Sequence, residues 1–284
     1  MTLKQTSERV AQQLSEAKLQ CADPKLHAMQ ILEFVLGYSR SQFFIHLEEE
    51  ISKGDAERIQ QLVSRRLTGE PFQYLVGYEW FYECPFEVGP GVLIPRKETE
   101  FLVEALLAMG PSSKRVAELG AGSGNIGISV LRRFPDWEWH GYEKNPESLK
   151  YLKINRLGLL GNHSGYHIHA EDFFRANGEG AFDLLVSNPP YIVTNELVSL
   201  SLEVQREPRL ALDGGQDGME IVKSFFEAAR NWLKPRGRVL SELGIGQSEP
   251  MKVYLEEKGW TDITILNDYA GIARVITAQK GETI

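Results

Sequence analysis

Residues 187–191 read Ser-Asn-Pro-Pro-Tyr and follow Phe182-Asp183-Leu184-Leu185-Val186, a run that predicts a buried strand. Proline fixes φ and lacks an N–H, so two in succession end the strand and stiffen the loop. Asn188, Pro189, Pro190 and Tyr191 therefore offer carbonyl oxygens, a side-chain amide oxygen and an aromatic ring. These acceptors suit a planar –NH2 group, whose two hydrogens they hold at defined angles. Planar nitrogens are poor nucleophiles, because the lone pair is delocalised into a neighbouring carbonyl or ring. Pinning both hydrogens while the nitrogen pyramidalises favours attack on an electrophilic carbon. By itself, a proline pair after a strand is also an ordinary turn.

A second stretch supplies a site for that carbon. Residues 116–130 read VAELGAGSGNIGISV, a strand ending at Leu119, a glycine-rich turn and a helix from about Asn125. Glycines there let the backbone approach a ligand and aim N–H groups at it. The turn lies at the carboxyl end of a strand, where open α/β sheets bind ligands. Two patterns overlap. Gly122-x-Gly124-x-x-Gly127 fits the dinucleotide fingerprint of a nicotinamide-dependent oxidoreductase. Gly120-x-Gly122-x-Gly124 after Glu118-Leu119 fits enzymes that use S-adenosylmethionine. Glu143 ends the next strand, about 20 residues on, and suits the ribose hydroxyls of either cofactor. Asp172 and Phe173 follow the third strand, where a carboxylate and a ring can meet an adenine. They also read as a solvated turn acid and a core ring.

These groups need a frame to bring them together. From about Thr6 to Arg66, apolar residues recur at helical spacing, with Ser7 and Asp55 expected as N-caps. After Glu70 the chain turns rich in aromatics, glycine and proline, which predicts a β-hairpin. From Glu98 onward strand and helix patterns alternate, which implies an α/β fold with a mostly parallel sheet. The last two strands lack an intervening helix and predict an antiparallel edge hairpin. The expected organisation is a helical bundle over residues 1–70, a hairpin linker over 71–95 and a Rossmann-like domain over 96–284. In such a sheet the fourth strand ends beside the first, so residues 188–191 face the same crevice as the glycine turn.

Composition narrows the function classes. The 284 residues are 42% hydrophobic and 25% charged, with a net charge of -8. That balance weighs against a nucleic-acid partner. No apolar run has membrane-spanning length, and the polar start is no secretory signal. Cys21 and Cys84 read as reduced thiols of a cytoplasmic protein. His163, His167 and His169 invite a metal reading, but without cysteines they read as strand-face histidines, and no metal is expected. Lys144 is expected to point to solvent, and Trp137 and Trp139 to pack.

At this point a resemblance emerges. Glu118-Leu119-Gly120-Ala121-Gly122-Ser123-Gly124, the acid in Gly141-Tyr142-Glu143-Lys144-Asn145-Pro146, and Ser187 to Tyr191 resemble class I S-adenosylmethionine-dependent methyltransferases acting on planar nitrogens. Adenine-specific nucleic-acid methyltransferases share the Asn-Pro-Pro-Tyr element and are the alternative. The closer likeness is to the HemK/PrmC family, which methylates the glutamine side-chain amide in the Gly-Gly-Gln motif of peptide chain release factors. Residues 68–82, the Pro95-Arg96-x-x-Thr99-Glu100 segment and residues 207–222 carry that likeness too.

The resemblance implies S-adenosylmethionine as cofactor and a release factor as protein partner, with no membrane partner and a monomeric state. It implies cofactor contacts from Glu118, Gly120, Ala121, Gly122, Ser123, Gly124, Glu143, Asp172, Phe173 and Asn188. The turn 120–124 would take the methionine part, Glu143 the ribose, and Asp172 with Phe173 the adenine. Asn188, Pro189, Pro190 and Tyr191 would hold the glutamine amide, with no dedicated base. Gly214-Gly215-Gln216 spells the substrate tripeptide within the chain and is read as chance.

Overall fold

The computed structural model describes residues 1–17, 23–178 and 180–281. They form two compact units, one of residues 1–77 with 199–206, the other of residues 78–198 with 207–281. Cys21 lies outside the described residues, whereas Cys84 is a buried free thiol.

The first unit contains α1 (Leu3–Glu16), α2 (Pro24–Leu36), α3 (Arg40–Ile45), α4 (Lys53–Leu67) and α5 (Phe72–Val76). Leu3, Val10, Leu14, Ile31, Leu32, Phe43, Ile59 and Val63 meet in its core. The helix starts differ from the sequence expectation. Thr2, not Ser7, caps α1 in a reciprocal capping box with Gln5. Ser52, not Asp55, caps α4, and Asp55 sits in its first turn, where a carboxylate complements the helix dipole. Both helices thus begin earlier than their apolar periodicity suggests. The fully buried Arg66 donates to the Glu70 carbonyl at 3.1 Å and pairs with Glu203, which ties residues 199–206 to this unit.

The second unit opens with a hairpin of β1 (Tyr78–Phe81) and β2 (Cys84–Glu87). The expected extended stretch after Glu70 instead holds α5 before the hairpin, and Gly77 ends that helix in the left-handed region. Tyr82 and Glu83 form the two-residue turn, both at positive φ. That geometry matches strand twist but strains residues with a Cβ.

There follow α6 (Glu100–Leu107), β3 (Arg115–Leu119), α7 (Asn125–Arg133), β4 (Glu138–Tyr142), α8 (Pro146–Leu160), β5 (Tyr166–His169) and β6 (Phe182–Ser187). Then come α9 (Glu220–Trp232), β7 (Leu233–Glu242), α10 (Ser248–Glu257), β8 (Thr261–Asn267) and β9 (Ala273–Gln279). The sheet order is β5-β4-β3-β6-β7-β9-β8, parallel through β7, with β9 antiparallel to both neighbours. This is the expected mostly parallel α/β sheet with an antiparallel edge hairpin.

Strand alternation sorts the side chains into two cores. Val116, Leu184 and Val186 pack with α6, α7 and α8, whereas Ala117 and Leu185 pack with α9 and α10. Trp137 and Trp139 are buried in the first core, as expected. The chain runs outward from β3 to β5 and then crosses back to β6 beside β3. That reversal opens a crevice at the carboxyl ends of β3 and β6.

Candidate active site

Both strand tips line one cavity. Its walls include Gly120 to Ser123 after β3, Glu143 to Asn145 after β4, Asp172 to Phe174 after β5 and Asn188 to Pro190 after β6. The hydroxyl of Ser187 donates to the Leu119 carbonyl at 3.1 Å and joins the ends of β6 and β3.

The glycine turn is built by its φ angles. Gly120, Gly122 and Gly124 all lie at positive φ, which L side chains rarely adopt. A Cβ at Gly120 would meet no atom within 4 Å, so glycine keeps open space there rather than packing room. At Gly124 a Cβ would meet Leu152 and Ile128 at 2.6 and 2.8 Å, so this glycine serves packing. The N–H groups of Gly120 and Ala121 both donate to the Tyr142 carbonyl, at 2.9 and 3.1 Å.

Glu143 carries the turn from the other side. Its carboxylate accepts from the N–H groups of Gly122 at 2.9 Å and Asn145 at 2.8 Å. Burial pushes its pKa up and these donors pull it back. Asn145 then caps α8 by accepting from Glu147 N–H.

Asp172 lines the cavity and accepts from Phe174 N–H at 3.1 Å. Lys144 is exposed, as expected. It lines the same wall, with Nζ 3.3 Å from Asp172 Oδ2. Phe173 touches the cavity but is 1% exposed, stacked on Trp232 at 4.0 Å between centroids. It is chiefly a core ring. The better exposed ring is Phe174, which sequence reasoning passed over.

Three expected contacts do not reach the cavity: Gly124, Glu118 and Tyr191. Gly124 is taken up by packing against Leu152 and Ile128. Glu118 is fully buried and is absent from the lining, because strand alternation turns it into the core. It accepts from the Trp139 indole at 2.7 Å, and burial pushes its pKa up to about 8. Tyr191 also stays outside the lining. Its hydroxyl lies 3.4 Å from Glu242 Oε1, and burial raises its pKa strongly.

Asn188 does face the cavity, with its Nδ2 donating to Thr99 Oγ1 at 3.0 Å. That bond commits the amino half of the amide and leaves Oδ1 for a ligand's donor. Glycines back the loop from behind. A Cβ at Gly214 would meet Tyr191 Cα at 2.7 Å and the Pro190 carbonyl at 2.8 Å. Gln247 Nε2 donates to the carbonyls of Tyr191 and Gly218, each at 3.0 Å. Gly214-Gly215 thus has a packing reason of its own, in keeping with Gln216 as chance.

Arg96 and Thr99 also line the cavity. Glu207 holds the first of them, pairing with its guanidinium while accepting from Ile94 N–H at 3.0 Å. Both were visible in the Pro95-Arg96-x-x-Thr99-Glu100 segment, though not as site residues.

The histidines group differently from the sequence reading. His163 leaves the cluster and lies 2.9 Å from the Pro135 carbonyl. Among the described residues, Glu138, His140 and His167 bring potential ligand atoms within 4.8 Å of one another. The Arg115 guanidinium already meets Glu138 and His140 there, each at 3.4 Å.

The residues present fit a nucleoside carrying an amino-acid tail. Glycines leave room at the turn, a carboxylate stands at each of two strand tips, and Phe174 offers a ring. Comparison with known proteins bears on the family. A PrmC N-terminal domain model matches residues 5–77, and a methyltransferase small domain model matches residues 96–204. A release factor glutamine methyltransferase of Koribacter versatilis is 34% identical over 284 residues, covering 99% of each chain. One of Geobacter sulfurreducens is 34% identical over 260 residues, covering 90% of each. One of Salmonella typhimurium is 33% identical over 273 residues, covering 92% of this chain and 95% of its own.

Solved structures share the fold. A methyltransferase from Pyrococcus furiosus has a TM-score of 0.51 at 19% identity, covering 69% of this chain and 88% of its own. M. jannaschii TYW2 in complex with AdoMet has a TM-score of 0.50 at 16% identity, covering 73% and 86%. The near full-length likeness to the curated relatives, with both domain models in register, decides the matter: this chain belongs to the release factor glutamine methyltransferase family.

Proposed function

We propose that the protein transfers a methyl group from S-adenosylmethionine to the side-chain amide nitrogen of the glutamine in the Gly-Gly-Gln motif of peptide chain release factors. The observation that carries this reading is the Asn188 amide. It lines the cavity of the glycine turn and spends its own N–H on Thr99, so that an oxygen is left for a substrate –NH2.

S-adenosylmethionine supplies a methyl carbon on a positively charged sulfur, an electrophile with a neutral leaving group. The chain's task is to hold and orient. The turn Gly120 to Ser123 and Glu143 bind the cofactor's amino-acid and ribose parts, and Asp172 with Phe174 borders the base. Asn188 Oδ1 and the Pro189 carbonyl grip the two amide hydrogens of the glutamine. Pro189 and Pro190 keep that grip stiff, because their φ is fixed. Holding the nitrogen as it pyramidalises favours the transition state over the ground state. No side chain is assigned as base, since a nitrogen that has gained a fourth bond is acidic enough to pass its proton to water.

The helical unit is assigned to recognition of the release factor, whose surface is far larger than one glutamine. Tyr191 is assigned to bracing the loop from beneath rather than stacking on the substrate. The test is incubation with labelled cofactor and, in separate arms, a release factor, DNA and RNA, followed by mass mapping of the product. Label on the Gly-Gly-Gln glutamine is the expected result. Label confined to adenine would overturn the substrate assignment.

A further inference from the structure

One edge of the large sheet carries side chains that the methyl transfer does not use. The edge strand β5 pairs in parallel with β4, and the register sets His140 opposite His167 and Tyr142 opposite His169. Residues two apart on a strand share a face, so Glu138, His140, His167 and His169 lie together on one side of these strands. His140 is buried, whereas the side chains of Glu138 and His167 are 43% and 44% exposed. The Phe182 ring walls the cluster from within, edge-on to His140 at 5.2 Å between centroids.

Three ligand atoms converge there. Glu138 Oε1 lies 2.9 Å from His140 Nε2 and 3.6 Å from His167 Nε2, and all three atoms fall within 4.8 Å of one another. In a tetrahedral zinc site with bonds of about 2.1 Å, ligand atoms stand roughly 3.4 Å apart. The two exposed side chains reach that spacing by small rotations. Two imidazoles and a carboxylate are a set that zinc accepts, with water in the fourth position.

The buried histidine is braced on its other nitrogen. His140 Nδ1 lies 2.9 Å from His169 Nε2, and His169 Nδ1 lies 3.7 Å from Glu171 Oε1. Such a partner fixes the tautomer of a metal-bound imidazole and raises its basicity. With an ion on Nε2, the His140 hydrogen sits on Nδ1 and points at His169, whose own hydrogen then sits on Nδ1 and faces Glu171. Each ring keeps one hydrogen, so binding needs no net proton release from this pair.

One charge opposes a cation. Arg115 Nε lies 3.4 Å from both Glu138 Oε2 and His140 Nε2, and its guanidinium rests over the Phe182 ring at 5.0 Å. The side chain is half-exposed and can leave His140 while keeping Glu138 Oε2, the oxygen that the ion does not use.

We propose that Glu138, His140 and His167 form a binding site for a divalent transition-metal ion of the zinc class, with His169 and Glu171 as its outer support. The ion would tie the edge strand β5 to β4. The site uses none of the residues assigned to the cofactor or the acceptor, so it stands apart from the proposed function.

The test uses the full chain without a histidine tag, titrated with Zn²⁺ against a chromophoric chelator and with Co²⁺ followed by visible absorption. One ion per chain and an intense tetrahedral Co²⁺ band are expected. His140→Ala, His167→Ala and Glu138→Ala should each weaken Zn²⁺ binding at least about tenfold, and His169→Ala by about tenfold, as loss of an outer partner does. Arg115→Met should tighten it by removing the competing charge. His163→Ala, whose ring lies apart at the Pro135 carbonyl, should bind like the native chain. Absence of binding would overturn the proposal. So would native affinity in both His167→Ala and Glu138→Ala, because an ion held elsewhere would ignore them. These two side chains lie on the exposed rim, so the test stays decisive should His140→Ala fail to fold.

Discussion

The carboxylate of Glu143 accepts the backbone N–H of Gly122 at 2.9 Å, so the acid at the tip of β4 holds the glycine turn at the tip of β3. The same carboxylate therefore shapes the turn and lines the cavity, where it is the group proposed to take the cofactor's ribose. Glu143→Ala removes both roles and strands two N–H donors, at a cost of about 1–3 kcal/mol for each buried donor. Calorimetric titration with S-adenosylmethionine should show affinity down by about tenfold or more. The melting temperature should also fall.

Asn188→Ala should separate binding from chemistry. Cofactor affinity is expected to stay within about threefold, and single-turnover methylation to fall by roughly a hundredfold, the usual effect of losing a preorganised hydrogen-bonding group. Equal turnover would remove the proposed mechanism.

Gly214 backs the acceptor loop on three sides. An added Cβ would meet backbone atoms of Gly218, Tyr191 and Pro190 at 2.7 to 2.8 Å, and none of these is a side chain that can swing aside. Gly214→Ala should cost about 1–3 kcal/mol as overpacking and should lower kcat by displacing the loop. The affinity for S-adenosylmethionine should change little, because the glycine turn belongs to a different strand.

Glu118 makes stability fall as pH rises. Its native pKa is near 8, against an ordinary value of 4.5, because burial disfavours the charge. Between those values the native state keeps a proton that the unfolded chain has released. The favourable contribution is full below pH 4.5 and is lost as pH climbs through 8, with a slope of at most about 1.4 kcal/mol per pH unit. Glu118→Gln keeps an acceptor for Trp139 and cannot ionise. Denaturant titrations at pH 6 and pH 8.5 should show a smaller drop for this variant than for the native chain.

The helical unit exposes two large apolar side chains of α3, Phe44 and Ile45. Changing both to serine should raise KM for an intact release factor several-fold and leave KM for a short glutamine peptide unchanged. Equal effects on both substrates would argue against a recognition role for that patch.

The parts of the site that were legible in the sequence are local. Alternating glycines after an apolar run and paired prolines after another announce strand ends, and the spacing to Glu143 follows from one strand–helix–strand unit. Glu118 was misplaced because adjacency in the chain is not adjacency in space. Residues two apart on a strand share a face, and Val116 already pointed into the core. Phe173 and Phe174 differ by one position on a short 3-10 turn, too little for composition to tell core from rim. Thr99 could not be paired with Asn188 from sequence, because it lies 89 residues away in the chain. The early caps Thr2 and Ser52 lay outside the apolar periodicity that marked their helices.

Ser187 clamps the tips of β3 and β6 together through the Leu119 carbonyl. On the proposed reading, methyl donor and methyl acceptor share one ledge, and their alignment is inherited from folding instead of being assembled at each encounter. Discrimination among glutamines then falls to admission: a side chain that threads far enough to touch the ledge is already in register for transfer.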